Sequence, residues 1–148
     1  MRHSNELHCY LNRVRVQLVS EKLPEYKIAD TIDAKKLASK YLRKYDRECF
    51  ITLLLGGTNK VMAINEVSVG TLTNTLVHPR EVFKAAILAN ASGIILAHNH
   101  PSGDVEPSDD DICLTERLRE AGKIIGIEIL DHLIVGEQDS YSFRENDL

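Results

Sequence analysis

The sequence predicts an α/β sandwich built around one mixed, partly antiparallel sheet flanked by helices. Three observations carry this. Strand-like and helix-like segments alternate along the chain in the order β-α-β-β-α-β-α-β-β. Two apolar runs flank Gly56-Gly57-Thr58-Asn59, a turn sequence that joins antiparallel neighbours. Between Ile94 and His98 the chain is apolar without alternation, as a central strand covered on both faces requires.

Taken in order, Asn12 to Val19 sets Val14, Val16 and Leu18 against Arg13, Arg15 and Gln17, the period-2 pattern of a half-buried strand. Asp33 then reads as the N-cap of a helix reaching about Tyr45, with Leu37, Tyr41 and Tyr45 on its inner face. Residues 48–55 and 61–69 form the two strands of the hairpin. Pro79 suits the first turn of a helix to about Ala91, whose inner stripe is Phe83, Ala86, Ile87 and Asn90. Ser108 to Ala121 reads as a helix closed by Gly122, followed by a strand at Ile127–Val135 and a short one at Tyr141–Arg144. The expected organisation is one globular unit, with residues 1–47 supplying a strand and helix that pack on a body formed by 48–148.

Composition narrows the class. With 148 residues, 43% hydrophobic and 27% charged, the chain is large enough for a core without disulfide staples and too apolar for a disordered protein. Its apolar runs fall far short of the ~18 residues of a membrane span, and the opening MRHSNELHCY lacks the apolar stretch of a secretory signal. Three cysteines, Cys9, Cys49 and Cys113, make no disulfide framework; Cys49 and Cys113 read as buried small hydrophobes, and the expected compartment is the reducing cytoplasm. Charge is uneven: 11 Lys/Arg face 6 Asp/Glu through residue 47, against 7 and 16 from residue 48 onward. A basic arm of this kind permits nucleic-acid contact, although its cations between Lys35 and Lys44 have the spacing of a solvated helix face.

The chemistry concentrates in Ala97-His-Asn-His-Pro-Ser-Gly-Asp-Val-Glu-Pro-Ser-Asp-Asp-Asp111. His98 and His100, two apart at the end of a strand, leave one sheet face and can tilt toward one ion at the ~2.0–2.1 Å of zinc–nitrogen bonds. Pro101, Gly103 and Pro107 turn the chain, and Ser108 is placed to cap a helix whose third residue is Asp111. A carboxylate returned there completes two nitrogens and one oxygen, leaving a fourth tetrahedral position open. The plain alternative for Ser108 and Asp111 is a capping pair, which is compatible with the same geometry. Asn99 reads as structural, Asp104, Asp109 and Asp110 as solvated charges with a role supporting the ligands as the alternative, and His132 in LDHLIVG as a packing residue with a supporting or substrate-contacting role as its alternative.

The pattern His98-x-His100, seven residues, Ser108, two residues, Asp111 resembles the JAMM (MPN-plus) metalloprotease motif. HNHPSGD, PS and LDHLIVG resemble the bacterial RadC family in particular, over roughly residues 45–145. The resemblance implies a JAMM/MPN-like, cytidine-deaminase-like sandwich, in a short form without the helix-hairpin-helix domain of longer relatives. It implies metal ligation by His98, His100 and Asp111, with Zn2+ preferred and iron or manganese as alternatives. It also implies a glutamate acting as general base and Ser108 donating to the oxyanion. Glu48 fits the glutamate's place, opening the strand two strands and a helix before His98; Glu66, mid-strand, and Glu81, on a helix, are its rivals.

The implied activity is metal-dependent hydrolysis of peptide or isopeptide bonds in a peptide or protein substrate. Two other functions compete. One is a nucleic-acid-acting module, from the repair association of the RadC name. His98-Asn99-His100 does not support it through the HNH endonucleases, whose residues come from separated parts of a hairpin-helix unit. The other is a non-catalytic interaction module, which a filled motif disfavours.

Overall fold

The computed structural model describes residues 25–70 and 77–148. The strand expected at 12–19 lies outside the described residues. The elements that follow come in the expected order: α1 (Thr31–Leu42), β1 (Cys49–Leu55), β2 (Val61–Val69), α2 (Pro79–Leu88), β3 (Gly93–Asn99), α3 (Asp109–Ile125), β4 (Glu128–Val135) and β5 (Ser140–Ser142).

Among the described residues the sheet runs β2-β1-β3-β4-β5, and only the β3–β4 pair is parallel. β1 and β3 are buried along their whole length, which is why their sequences are continuous apolar runs. Alternation sends Cys49, Ile51, Leu53, Leu55, Ile95 and Ala97 to one face with Ala34, Ala38 and Leu42 of α1. Phe50, Leu54, Ile94 and Leu96 point to the other face, against Val82, Phe83 and Ala86 of α2 and Leu118 of α3. His98 shares this second face. Asn59, at φ 57°, closes the hairpin by donating its N–H to the Gly56 carbonyl at 2.9 Å.

Several boundaries differ from the expectation for identifiable reasons. Asp30, not Asp33, caps α1: its carboxylate accepts from the Asp33 N–H at 2.9 Å, while Asp33 reaches back to the Ala29 N–H at 3.1 Å. The buried stripe of α1 is Ala34, Ala38 and Leu42, with Leu37 and Tyr41 half-buried at its edge, because small residues let the helix lie close to the sheet. In α2, Val82 joins Phe83 and Ala86 inside, whereas Ile87 and Asn90 are exposed, and the helix ends at Leu88. Gly122 does not close α3. The helix continues to Gly126, which takes the left-handed conformation at φ 81°. Gly122 is an interior contact: a Cβ there would meet the Ile127 carbonyl oxygen at 2.5 Å. Cys113 is exposed rather than buried, while Cys49 is buried and its thiol is pushed up to about 11, chiefly by that burial. Among the described residues no helix is long and apolar enough to cross a membrane.

Candidate metal centre

β3 ends on the α2/α3 face, and its last turn delivers two imidazoles to one point. The His100 N–H bonds the Val135 carbonyl at 3.0 Å, so the backbone is still tethered to β4 where it leaves the sheet. The chain then turns, with Gly103 at φ 85°, and packs back over Gly136, where a side chain would meet the Gly103 carbonyl at 2.7 Å. This close return brings Ser108 to the start of α3. The Ser108 hydroxyl accepts from the Asp111 N–H at 3.1 Å and donates to Asp111 Oδ2 at 2.7 Å; the Ser108 N–H donates to the same oxygen at 2.8 Å. Oδ2 is thereby occupied by the cap, and Oδ1 faces His98.

His98, His100 and Asp111 each offer one ligand atom within 4.8 Å of the others. The two Nε2 atoms are 3.0 Å apart, His98 Nε2 lies 3.2 Å from Asp111 Oδ1, and His100 Nε2 lies 3.6 Å from Oδ2. In a tetrahedron with bonds of ~2.0–2.1 Å, neighbouring ligand atoms stand about 3.3 Å apart. The spacings match that figure. The remaining ring nitrogens are engaged elsewhere: His100 Nδ1 donates to the Asp104 carbonyl at 2.7 Å, and His98 Nδ1 contacts His132 Nε2 at 2.8 Å. Two imidazole nitrogens facing each other beside a carboxylate form a set that needs a cation or a proton between them.

The electrostatics agree. Burial pushes the Asp111 carboxyl up, but hydrogen bonds to His100 and His98, and then Ser108, outweigh it and hold the group well below the usual carboxylate range. His100 is raised, first by its hydrogen bond to Asp111, against the opposing effect of burial; the Asp104 carbonyl and the charges of Asp111 and Glu48 add to the rise. His132, fully enclosed, is held well below its ordinary value by burial first and by the nearby His98 second.

Glu48 sits one residue before β1 and is half-buried. Phe50 pairs with His98 across β1 and β3, and counting outward brings Glu48 level with His100. Asn99 fixes that segment from both sides: its Oδ1 accepts from the Cys49 N–H at 2.7 Å and its Nδ2 donates to the Arg47 carbonyl at 3.0 Å. Glu66 lies on the α1 face of the sheet, where the hydroxyls of Tyr41 and Tyr45 both donate to its Oε1. Glu81 is on α2 in an ion pair with Lys84 at 3.0 Å. The three metal candidates are thus brought together, Ser108 adjoins them and Glu48 stands beside His100, while Glu66 and Glu81 are engaged elsewhere. Asp104, Asp109 and Asp110 are exposed.

Sequence reasoning did not single out Thr115, which lies one helical turn after Asp111. Its hydroxyl bonds the Asp111 carbonyl at 2.6 Å and contacts His132 Nδ1 at 2.6 Å. The one available signal was the i, i+4 spacing from Asp111.

Comparison with known proteins agrees with this architecture. The RadC-like JAB domain family matches residues 28–148. A UPF0758 protein of Alkaliphilus oremlandii is 47% identical over 134 residues, covering 90% of this chain and 57% of that protein. A UPF0758 protein of Desulforamulus reducens is 51% identical over 116 residues, covering 78% and 51%. Another, of Moorella thermoacetica, is 55% identical over 107 residues, covering 72% and 47%. The chain spans about half the length of these curated relatives. It belongs to the RadC-like JAB domain family.

Proposed function

With membership of the RadC-like JAB family as the premise, we propose that this chain is a metal-dependent hydrolase of peptide or isopeptide bonds, with zinc as the preferred ion. The observation that carries the reading is the convergence of His98, His100 and Asp111 from a strand end and a helix start, at spacings that suit a tetrahedral ion. Imidazole and carboxylate donors suit zinc, with iron and manganese as alternatives. When bound, such an ion supplies Lewis acidity and lowers the pKa of water toward ~7.

The chain's own residues do the rest. Glu48, set beside His100, takes the proton of the attacking water and delivers it to the departing amine. Ser108 donates its hydroxyl to the carbonyl oxygen as charge develops there, turning from Asp111 Oδ2 to do so; one such donor is worth roughly 2.7–4 kcal/mol in other hydrolases. Asp111 keeps its orientation through the Ser108 N–H while that hydroxyl is away.

The substrate class is a peptide or protein. A nucleic-acid substrate is less favoured, because Lys35, Lys36, Lys40 and Lys44 belong to α1 and its C-terminal turn, on the side of the sheet opposite the site. Asp104, Glu106, Asp109 and Asp110 are exposed on the loop and first helical turn that lead to Asp111, where they repel phosphates.

The test is metal analysis combined with turnover. Protein purified without a nickel column is expected to hold about one ion per chain and to lose it in His98→Ala. Glu48→Gln should keep the ion and lose cleavage of a peptide and isopeptide library. A folded wild type that binds no zinc, iron or manganese overturns the reading. Metal-loaded wild type that cleaves nothing in the library points instead to an interaction module.

A further inference from the structure

A chain of buried hydrogen bonds leads away from the triad, and its polarity can be worked out atom by atom. Thr115 Oγ1 stands 2.6 Å from the Asp111 carbonyl oxygen. A carbonyl has no proton, so the hydrogen between these two oxygens is that of Thr115. The hydroxyl has no second hydrogen to offer, and its 2.6 Å contact with His132 Nδ1 must be bridged by a proton on that nitrogen. His132 is fully buried between aromatic rings, stacked on Phe143 at 4.7 Å and edge-on to Phe50 at 5.6 Å; its backbone N–H donates to Asp131 Oδ1 at 2.7 Å, and among the described residues its ring has no carboxylate in hydrogen-bond contact. A neutral ring protonated at Nδ1 presents a lone pair at Nε2. That lone pair lies 2.8 Å from His98 Nδ1, which must therefore carry the hydrogen. His98 Nε2 is then bare, and it is the nitrogen that faces His100 and Asp111.

We propose that Thr115 and His132 are positioning residues that lock His98 in the tautomer whose Nε2 lone pair points into the triad. The proposal rests on the metal-centre reading above for its purpose, though not for its geometry. The reverse polarity would defeat that purpose. If Thr115 donated to His132, His132 Nε2 would donate to His98 Nδ1, and the remaining hydrogen of His98 would sit at Nε2 in the ligand position. The surroundings favour a single arrangement: Thr115, His132 and His98 are each at most 1% exposed, so water does not offer substitute partners. Phe50, lying nearly parallel to the His98 ring at 9°, restricts its rotation. The same relay ties β3, through β4, to the helix turn that carries Asp111, so the two halves of the ligand set are held in one register. Imidazole ligands are commonly oriented by an acceptor on the second nitrogen. Here that acceptor is another imidazole, itself oriented by a helix hydroxyl.

Thr115→Val keeps the side-chain shape and removes the hydroxyl; Thr115→Ser restores it. Zn2+ affinity, measured by competition with a chelator, is expected to fall roughly 10- to 100-fold in Thr115→Val and to return close to wild type in Thr115→Ser. Independently, nitrogen-15 NMR of histidine side chains in metal-free wild type at about pH 9, above the ordinary imidazole value, should show the His98 hydrogen on Nδ1. In Thr115→Val that population should be divided between the two nitrogens. Unchanged zinc affinity in folded Thr115→Val, or a wild-type His98 with no hydrogen on Nδ1, overturns the proposal. The wild-type spectrum needs no variant to fold and no metal to bind. A protein that takes up no zinc, iron or manganese would therefore defeat the hydrolase reading while the tautomer still decides the relay.

Discussion

Replacing Asn99 with Ala should unfasten the strand end that presents Glu48, and the size of the effect can be worked from two bonds. The side chain accepts from the Cys49 N–H at 2.7 Å and donates to the Arg47 carbonyl at 3.0 Å. Cys49 is wholly buried, so its amide would be left without a partner, at about 1–3 kcal/mol. Arg47 is exposed and its carbonyl can be rehydrated, so the second bond contributes about 1 kcal/mol. The total, about 2–4 kcal/mol, corresponds to a fall in Tm of roughly 4–16 °C for a domain near 150 residues. Thermal unfolding followed by circular dichroism measures it, and urea unfolding checks that the loss is in midpoint rather than slope. Asn99→Asp is an informative partner: it retains the acceptor for Cys49 but sets an oxygen against the Arg47 carbonyl, so it should also destabilise. Turnover should fall with stability, since Glu48 lies between the two anchored residues. A Tm for Asn99→Ala within about 1 °C of wild type would refute the assignment of Asn99 as the clamp.

Two further outcomes follow from the same geometry. Gly136→Ala places a Cβ 2.7 Å from the Gly103 carbonyl and 2.8 Å from Val105, so the loop carrying Asp104 must shift. Urea unfolding should show a loss of about 1–3 kcal/mol, and zinc titration a weaker site, because His100 loses its fixed acceptor. In the metal-free protein, His100 is raised above its unfolded value near 6.5. Its contribution to stability is therefore fully present below that value and is lost as pH rises through the folded one. Metal-free Tm should decline on that account from about pH 6 toward pH 8, while zinc affinity increases over the same range as the competing proton leaves. Because His132, held below its ordinary value, contributes the opposite slope near its unfolded value, the comparison is with His100→Gln. A stability difference between wild type and this variant that does not shrink as pH rises across this window would contradict the His100–Asp111 pairing.

Local chemistry made much of this fold legible in the sequence. The Gly56–Asn59 turn, the proline at the first position of α2 and the unbroken apolar runs of β1 and β3 each state a backbone or solvent preference within a few residues. The triad was legible for the same reason, because its parts lie within 14 residues, from His98 to Asp111, separated by turn formers. Misread positions were those where tertiary packing overrides a local signal. Gly122 has the composition of a helix stop but is small because the Ile127 carbonyl crosses it closely. Leu37 and Tyr41 have helical spacing, yet Ala34, Ala38 and Leu42 form the buried stripe. The relay was illegible because Thr115, His132 and His98 come from three separate elements, and only the parallel pairing of β3 with β4 brings them into line.

The division between the two sheet faces explains why the acidic candidates could not be separated by sequence. Glu48 and Glu66 both lie on or beside hairpin strands, and strand position alone does not say which face each occupies. A register shift between Phe50 and Ile51 leaves one residue of β2, Val67, without a counterpart in β1. Ile64 and Glu66 consequently turn toward α1, while Val67 packs with the α2/α3 core. On the α1 side the carboxylate meets the hydroxyls of Tyr41 and Tyr45, and those hydrogen bonds hold it below the usual carboxylate range against the opposing effect of burial. It is a fastener between helix and sheet. Glu48 precedes the shifted register and keeps the alternation set by Phe50 and His98, so it stands on the face where the imidazoles emerge. One irregular residue in β2 thus sets two chemically identical side chains on opposite faces, Glu66 joining α1 to the sheet and Glu48 on the face from which the imidazoles emerge.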